Sequence, residues 1–125
     1  LGAGKTVFAA AIAQALGIPG SIRSPSYTLV REYSIPSNSS NPPNPFRKLF
    51  HIDAWRLSSK EEFADLGLNE MLKSNNIIAL EWPQRLAPIL DDLQKKTNLV
   101  LVDIQVLSQN KRKISVFQQF SHVTI

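Results

Sequence analysis

The chain has 125 residues, of which 43% are hydrophobic and 19% are charged, as in an ordinary soluble globular domain with a core of its own. No apolar run approaches the length of about 18 residues that a membrane span needs, and the lack of cysteine excludes a disulfide framework and thiolate metal sites. The net charge of +4 permits an acidic or RNA partner without demanding one. We expect a single cytoplasmic domain over residues 1–125 without membrane contact.

The first six residues, LGAGKT, match the second half of a phosphate-binding loop. The full pattern is a glycine, four residues of any kind and then Gly-Lys-Ser/Thr, so its leading glycine would fall before Leu1. We therefore expect the chain to lack its natural N-terminus and the strand that leads into the loop. Lys5 would lie near the β- and γ-phosphate oxygens, and the Thr6 hydroxyl would contact Mg²⁺. The residues expected to bind the nucleotide here are Gly2, Ala3, Gly4, Lys5, Thr6 and Val7.

Residues 6–17, TVFAAAIAQALG, predict the helix that a phosphate loop requires, because the N–H groups at its start help to surround the phosphates. The segment is rich in alanine, and its larger apolar side chains, Phe8, Ile12 and Leu16, are four residues apart. It stops at Gly17, which suits the position just past a helix.

Five further segments have the composition of β-strands. They contain β-branched, aromatic or other apolar residues, and they cover residues 27–35, 47–55, 76–82, 98–107 and 113–125. The third is a short apolar run of the kind that is buried on both faces of a sheet. The last two are separated by a short polar turn and predict an antiparallel hairpin at the end of the chain.

Helical segments lie between these strands. Residues 57–67 predict a short helix, and residues 85–96 predict a helix that is broken near Pro88. The first of them begins with two overlapping capping boxes, which pair Ser58 with Glu61 and Ser59 with Glu62. Because helices alternate with strands in the middle of the chain, the fold class is α/β.

Two acids end apolar strands. A phosphate-loop site needs an acid to help hold the metal and a group that orients the nucleophile, and in an open α/β sheet both belong at the carboxyl ends of strands. Asp53 ends LFHID and Glu81 ends IIALE; burying such a charge unpaired is costly, so packing alone rarely explains it. Structural alternatives stay open: Asp53 can cap a turn or pair with Arg56, and Glu81 can be a satisfied structural carboxylate.

Three more features can be related to a nucleotide. In RSPSYT, Ser24 and Thr28 fit a switch segment that contacts the γ-phosphate and the metal, or a plain turn that leads into a strand. Trp82 directly follows the second acid, and its ring can stack on an adenine or fill the core. His51 lies one strand period from the first acid, and we interpret it as a satisfied structural histidine.

Four motifs in this order, LGAGKT, SPSYTLV, HIDAWRL and EWPQRL, resemble the TsaE family, also called YjeE. The resemblance runs from Leu1 to about Leu86 and is far more specific than the phosphate loop alone. The family usually has S-P-T where this chain has Ser24-Pro25-Ser26, and D-L-Y where it has Asp53-Ala54-Trp55. We recognise no motif from Asp91 onward.

The resemblance implies a phosphate-loop NTPase-like, three-layer α/β domain with a mixed, mainly parallel sheet. It also implies ATP or ADP and Mg²⁺ as cofactors. By similarity, Lys5, Asp53 and Glu81 are catalytic, Thr6, Asp53 and Glu81 lie at the metal, and Thr28 and Trp82 lie next to the nucleotide. The division of labour between Asp53 and Glu81, one holding the metal and the other acting on water, stays open.

Members of the family are ATPases that serve the N6-threonylcarbamoyl modification of adenosine 37 in tRNAs that read ANN codons. The resemblance implies a TsaD-like carbamoyl-transferring partner and its inactive TsaB-like paralogue, with tRNA met only through that complex. ATP binding or hydrolysis would reset the complex between cycles. Two other functions stay open: a small-molecule kinase, for which only Arg31, Arg56 and Arg85 offer acceptor-binding charge, and a nucleotide-regulated binding module with negligible turnover.

Overall fold

The computed structural model describes residues 4–25, 29–37, 44–73 and 75–119. The predictions for Gly2, Ala3 and Thr28 lie outside these residues. The described elements mix helices with strands, so the mixed α/β class is confirmed. In chain order they are α1 Lys5–Ala15, β1 Val30–Ser34, β2 Lys48–Asp53, α2 Lys60–Asp65, α3 Leu68–Met71, β3 Asn76–Glu81, a 3₁₀ turn Pro83–Leu86, α4 Leu90–Lys96, β4 Leu99–Ser108 and β5 Lys111–Gln119.

Strands β1, β2 and β3 form a mixed sheet in that order. β1 runs antiparallel to β2, with Arg31 opposite His51, and β2 runs parallel to β3, with Asp53 opposite Glu81. The expectation of a mainly parallel sheet is therefore not met by the described strands, which make one pair of each kind. The connections explain this: the chain returns directly from β1 to β2, whereas the α2–α3 crossover carries it back before β3 begins.

Each face of this sheet carries its own helical layer. Because side chains alternate along a strand, Leu49 and His51 of β2 face one side, and Phe50 and Ile52 face the other. Leu49 packs with Ala9 and Ala13 of α1. The opposite core joins Phe50 and Ile52 to side chains of the later helices, among them Phe63, Leu68 and Leu93. Hence α1 covers the same face of the sheet as His51, Asp53 and Glu81.

Helix α1 packs through its smallest side chains. Ala9 and Ala13 are buried, whereas Phe8, Ile12 and Leu16, the predicted apolar stripe, are less completely buried. Alanine brings the helix backbone close to the strands beneath it, and the larger side chains then flank this contact. The predicted end at Gly17 is confirmed: its φ is 77°, and Gly17 and Ile18 donate their N–H groups to Gln14 and Ala13, which satisfies the last turn.

Helix α2 begins with one of the two predicted capping boxes. The Ser59 hydroxyl accepts the Glu62 N–H at 3.2 Å, and the Glu62 carboxylate accepts the Ser59 N–H. The second box, Ser58 with Glu61, is wrong: the Ser58 N–H donates to Glu62 at 2.6 Å instead. This backbone hydrogen bond from Ser58, with help from the Ser58 hydroxyl, holds the pKa of Glu62 below its ordinary value.

Replacing Ser59 with alanine should destabilise the protein by about 1 kcal/mol, because an orphan N–H of the first turn then loses its acceptor. Urea unfolding at neutral pH measures this, and Ser21→Ala, at an exposed loop position, is the matched control. The Glu62 carboxylate has a lower pKa in the folded protein than in the unfolded chain. The stability that its ionised form contributes is therefore present above the unfolded pKa and is lost as the pH falls through the folded pKa. Equal unfolding midpoints for the two variants would contradict this role of Ser59.

The elements after α2 follow the sequence closely. β3 is half-buried along its whole length, so the prediction of burial on both faces is met only in part. The predicted break in the following helix is confirmed as a 3₁₀ turn that ends before Pro88 and a helix that begins at Leu90. The hairpin is also confirmed as far as Gln119, with Val102 opposite Val116 and a bulge near Val106; residues 120–125 of the predicted last strand lie outside the described residues. Among the described residues no helix is long and apolar enough to cross a membrane.

Candidate active site

Helix α1 begins at a glycine that its conformation requires. Gly4 is the N-cap residue, with φ 102° and ψ 18°, and it makes no side-chain cap. Among the described residues, apart from its own neighbours along the chain, no heavy atom lies within 4 Å of where a Cβ would stand. The left-handed backbone alone therefore favours glycine here. The N–H groups of the first turn are thus left without a side-chain cap, which is the arrangement that binds anions at helix N-termini.

The start of α1 lies beside the carboxyl end of β3. The Lys5 ammonium sits 3.9 Å from the ring centroid of Trp82, the residue that follows β3. The Trp82 ring in turn lies 4.4 Å from the Trp55 ring at an interplanar angle of 50°, and the Arg85 guanidinium lies 5.1 Å from Trp55. These four residues form a cation–aromatic stack. It links Lys5 to the segments that follow β2 and β3.

Trp82 does not fill the core. It is half-buried and belongs to neither core cluster of the described residues, while Lys5 lies on its ring. Stacking of this ring on an adenine stays a prediction. The sequence interpretation did not place Trp55 and Arg85 at the site. A large aromatic residue just past a strand end, where Trp55 lies half-exposed, was the signal that could have found the first of them.

The two candidate carboxylates lie side by side. Asp53 pairs in register with Glu81 across the parallel strands, on the face that α1 covers. One oxygen of each is held: Oδ1 of Asp53 accepts the Trp55 N–H at 3.0 Å, and Oε1 of Glu81 lies 2.9 Å from Nε2 of His51. Their other oxygens make no hydrogen bond within the described part of the chain. Each carboxylate therefore presents one oxygen that can bind a metal or a water.

The structural alternatives for the acids are resolved in part. Asp53 does cap a turn, through the Trp55 N–H, but within the described residues it forms no ion pair with Arg56. Glu81 is partnered by His51, so it is a hydrogen-bonded carboxylate with a side chain 14% exposed. Neither arrangement uses both oxygens. A structural role and a chemical one are thus compatible in both residues.

His51 is only half satisfied. It is 0% exposed, and its Nε2 contacts Glu81. Its Nδ1 has no hydrogen-bond partner among the residues that the structure describes. The interpretation of a fully satisfied structural histidine is therefore wrong. The two-residue spacing from Asp53 was the signal that placed both side chains on one face of β2.

Two strained residues flank the carboxylates. Leu29 and Trp82 have φ values of 63° and 65°, in the left-handed region that residues with a Cβ seldom adopt. The Leu29 carbonyl accepts the Asp53 N–H at 2.9 Å, and the Trp82 carbonyl accepts the Arg85 N–H at 3.0 Å. Such strain concentrates at functional sites, where the surrounding structure maintains it. Both strand ends are thus held in a demanding geometry next to the acids.

Thr6 and Val7 lie in the exposed first turn of α1. Within the described residues, no hydrogen bond joins Thr6 to Asp53 or Glu81, so its predicted metal contact stays a prediction. No group of three or more metal-ligating side chains occurs in the described ranges.

Comparison with known proteins decides the family. The family model described as threonylcarbamoyl adenosine biosynthesis protein TsaE matches residues 1–114. The chain belongs to the TsaE family. The match extends past Asp91, where we recognised no motif, and takes in β4 and the beginning of β5. The region that the family model matches therefore includes β4 and residues 111–114 of β5.

Three TsaE relatives are similar along nearly the whole chain, and all are named tRNA threonylcarbamoyladenosine biosynthesis protein TsaE. The protein of Haemophilus influenzae is 29% identical over 98% of this chain and 74% of its own length. That of Aquifex aeolicus is 34% identical over 95% of this chain and 72% of its own length. That of Treponema pallidum is 33% identical over 93% and 75%. Membership in a tRNA-modification family thus rests on nearly the whole chain.

Proposed function

We propose that this chain is the ATPase component of the system that makes N6-threonylcarbamoyladenosine at position 37 of tRNA. In this proposal it adopts the phosphate-loop NTPase fold and works in the cytoplasm. It binds and hydrolyses Mg-ATP to drive or reset a complex of TsaB-like and TsaD-like proteins. It meets tRNA only through that complex. Family membership supports the place in tRNA modification; the nucleotide chemistry has to be argued from the site.

One observation carries the chemistry: the start of α1 meets the ends of two strands on one face of the sheet. Lys5 contacts Trp82 directly after β3, and Asp53 and Glu81 end β2 and β3 in register. An anion at the helix start would thus lie beside two carboxylates that can hold or complement a metal. Lysine, helix N-terminus and acids are the parts that phosphoryl transfer from a nucleotide requires.

This arrangement supports the following division of roles. Lys5 and the N–H groups of the Gly4–Val7 turn would hold the phosphates, and Thr6 and Asp53 would hold Mg²⁺, which would neutralise charge on the phosphates. Glu81 orients or deprotonates the attacking water. The assignments of Asp53 and Glu81 can be reversed, because each presents one oxygen. Water is the acceptor in this proposal.

Hydrolysis is favoured over transfer to a small molecule by two contacts. Arg31 donates from Nε to the Ser24 carbonyl at 3.2 Å, and Arg85 lies over the Trp55 ring. Two of the three arginines that could serve a kinase by binding its acceptor thus already have contacts within the chain. A requirement for a hydroxylated or aminated acceptor in turnover would favour the kinase.

We expect slow ATP hydrolysis by the protein alone and stimulation by its TsaB–TsaD pair. An arginine aimed at the γ-phosphate is worth roughly 10³–10⁵ in rate. Arg56 and Arg85 are the two that could supply it, and Arg85 already lies over the Trp55 ring. Phosphate release with and without the two partners measures this, with Lys5→Ala plus partners as the control for their own activity. Rapid turnover alone, unchanged by partners, would contradict the proposal; nucleotide binding without turnover in any mixture would favour the binding module.

Trp82 should report nucleotide binding through its fluorescence. Its ring carries the Lys5 ammonium at 3.9 Å, and a phosphate that attracts this charge changes the field on the indole. We expect ADP to change the emission of the Trp55→Phe protein, in which Trp82 is the remaining tryptophan. Trp82→Phe, which keeps Trp55, is the matched control. An unchanged spectrum of Trp55→Phe at saturating ADP would remove Trp82 from the site.

A further inference from the structure

His51 occupies a position where an aliphatic side chain would serve the core. Its neighbours on β2, Leu49 and Ile52, are 0% exposed, as His51 itself is. The ring nitrogen Nδ1 has no hydrogen-bond partner among the described residues. A buried polar atom left in that state opposes folding. Packing therefore does not account for histidine here, and its other nitrogen has to supply the reason.

That nitrogen holds Glu81. Nε2 lies 2.9 Å from Oε1, between side chains that are 1% exposed for His51 and 14% exposed for Glu81. An ionised carboxylate only accepts hydrogen bonds, so the imidazole donates its Nε2–H. Both residues lie in paired strands, with His51 opposite Ala79 and Asp53 opposite Glu81. The hydrogen bond thus ties the Glu81 side chain at the end of β3 to the neighbouring strand β2 and restrains its orientation.

The restraint leaves the outer oxygen of Glu81 available. Oε1 is held by His51, and Oε2 makes no hydrogen bond within the described residues. The carboxylate of Asp53 lies alongside in register, with its own Oδ1 held by the Trp55 N–H. Two neighbouring carboxylates repel each other. Because the Nε2–H of His51 holds Oε1 of Glu81, the Glu81 side chain is kept from rotating away from Asp53.

We propose that His51 is a positioning residue, whose Nε2–H fixes Oε1 of Glu81 and aims Oε2 at the water that attacks the γ-phosphate. The inference deepens the proposed function and rests on it. His51 does not touch the nucleotide or the water in this role. It acts through Glu81, as the outer partners of catalytic groups do when they set orientation.

Two variants separate the hydrogen bond from the volume of the ring. His51→Leu fills the position with an apolar side chain of moderate size and removes the hydrogen-bond donor. His51→Gln places an amide nitrogen within reach of Glu81 and can donate in the same direction. We expect His51→Leu to lower kcat by about 10–100-fold with ADP affinity within about twofold of the wild type, and His51→Gln to recover most of the loss. Unchanged kcat in His51→Leu would overturn the proposal.

The double variant excludes a merely structural role. If His51 acts through Glu81, adding His51→Leu to Glu81→Gln should not lower kcat further, because residues that act as a unit are not additive. Losses that multiply would show that His51 supports the fold at large and would overturn the proposal. If the wild-type protein itself releases no phosphate, with or without partners, the proposed function fails and not the hydrogen bond.

Ring ¹⁵N spectra test that hydrogen bond without any turnover. The chain has two histidines, so His122→Gln leaves His51 as the sole signal in the nucleotide-free protein. We expect the Nε2–H tautomer, and a shift of the Nε2–H resonance when Glu81 is changed to alanine. An Nδ1–H tautomer, or an Nε2–H resonance that does not shift in the Glu81→Ala protein, would overturn the proposal even if the His51 variants failed to fold.

Discussion

Replacing Lys5 with alanine is expected to abolish ATP binding or to reduce hydrolysis by at least on the order of 10²-fold, the scale seen when one preorganised charge or donor is removed from a transition state. The Lys5 ammonium lies over the ring of Trp82, the residue that follows β3. The backbone N–H groups of the first turn of α1 would remain, but they carry only partial charge. Phosphate release and ADP titration both measure the loss.

Lys73→Ala is the matched control for this change. Lys73 follows α3 and pairs with Glu70 of that helix, and both side chains are exposed, so the control removes the same charge away from the site and should keep the wild-type rate. Circular dichroism checks the fold, since Lys5→Ala also removes a cation–π contact worth about 0.5–1 kcal/mol. Wild-type phosphate release by a folded Lys5→Ala protein would refute the interpretation of Gly4-Lys5-Thr6 as a phosphate loop.

Asp53→Asn and Glu81→Gln should both lose turnover, by roughly 10²–10⁴-fold where proton transfer or water orientation is lost, yet differ in binding. If Asp53 helps to hold the metal, its variant binds ATP more weakly in the presence of Mg²⁺. If Glu81 acts on water, its variant binds ATP normally and stalls at the chemical step. ATP affinity with and without Mg²⁺, together with single-turnover rates, separates these effects.

Both substitutions leave the local hydrogen bonds possible, because an amide keeps one oxygen that accepts. In Asp53→Asn that oxygen can still accept the Trp55 N–H, and in Glu81→Gln it can still accept from His51, as the native carboxylates do. Asp103→Asn, on the exposed hairpin, is the isosteric control. Equal nucleotide affinities and equal Mg²⁺ requirements in the two variants would refute the division of roles, and the opposite pattern would reverse it.

The parts of the fold that depend on local chemistry were predictable. The alanine-rich run and Gly17 predicted α1, the Ser59–Glu62 box predicted the start of α2, and Pro88 predicted the helix break. These signals act within a few residues of the chain. The mistaken Ser58–Glu61 box has the same origin, because overlapping motifs offer two geometries and only one hydroxyl can face the first turn.

The arrangement of the site depends on contacts that sequence spacing does not encode. Asp53 and Glu81 were found as acids at strand ends, but their side-by-side register comes from the parallel pairing of β2 with β3. The stack of Lys5, Trp82, Trp55 and Arg85 joins three separate segments. The His51–Glu81 hydrogen bond likewise spans 30 residues. Contacts between residues so far apart in the chain depend on how the strands pair and how the helices pack. The sequence patterns identified the residues but did not predict those pairings.

Two alanines on the buried side of α1, Ala9 and Ala13, set how closely this helix approaches the sheet and therefore where Lys5 lies. Ala9 and Ala13 lie one and two turns beyond Lys5, and with relative exposures of 5% and 2% both are buried in the core that includes Leu49 of β2. A valine at either place would wedge the helix outward and tilt its start, moving the Lys5 ammonium relative to both acids. Two buried methyl groups thus help to set where the start of α1 lies relative to the two strand ends, and under the proposed function substitutions at these positions would change turnover without replacing a residue of the site.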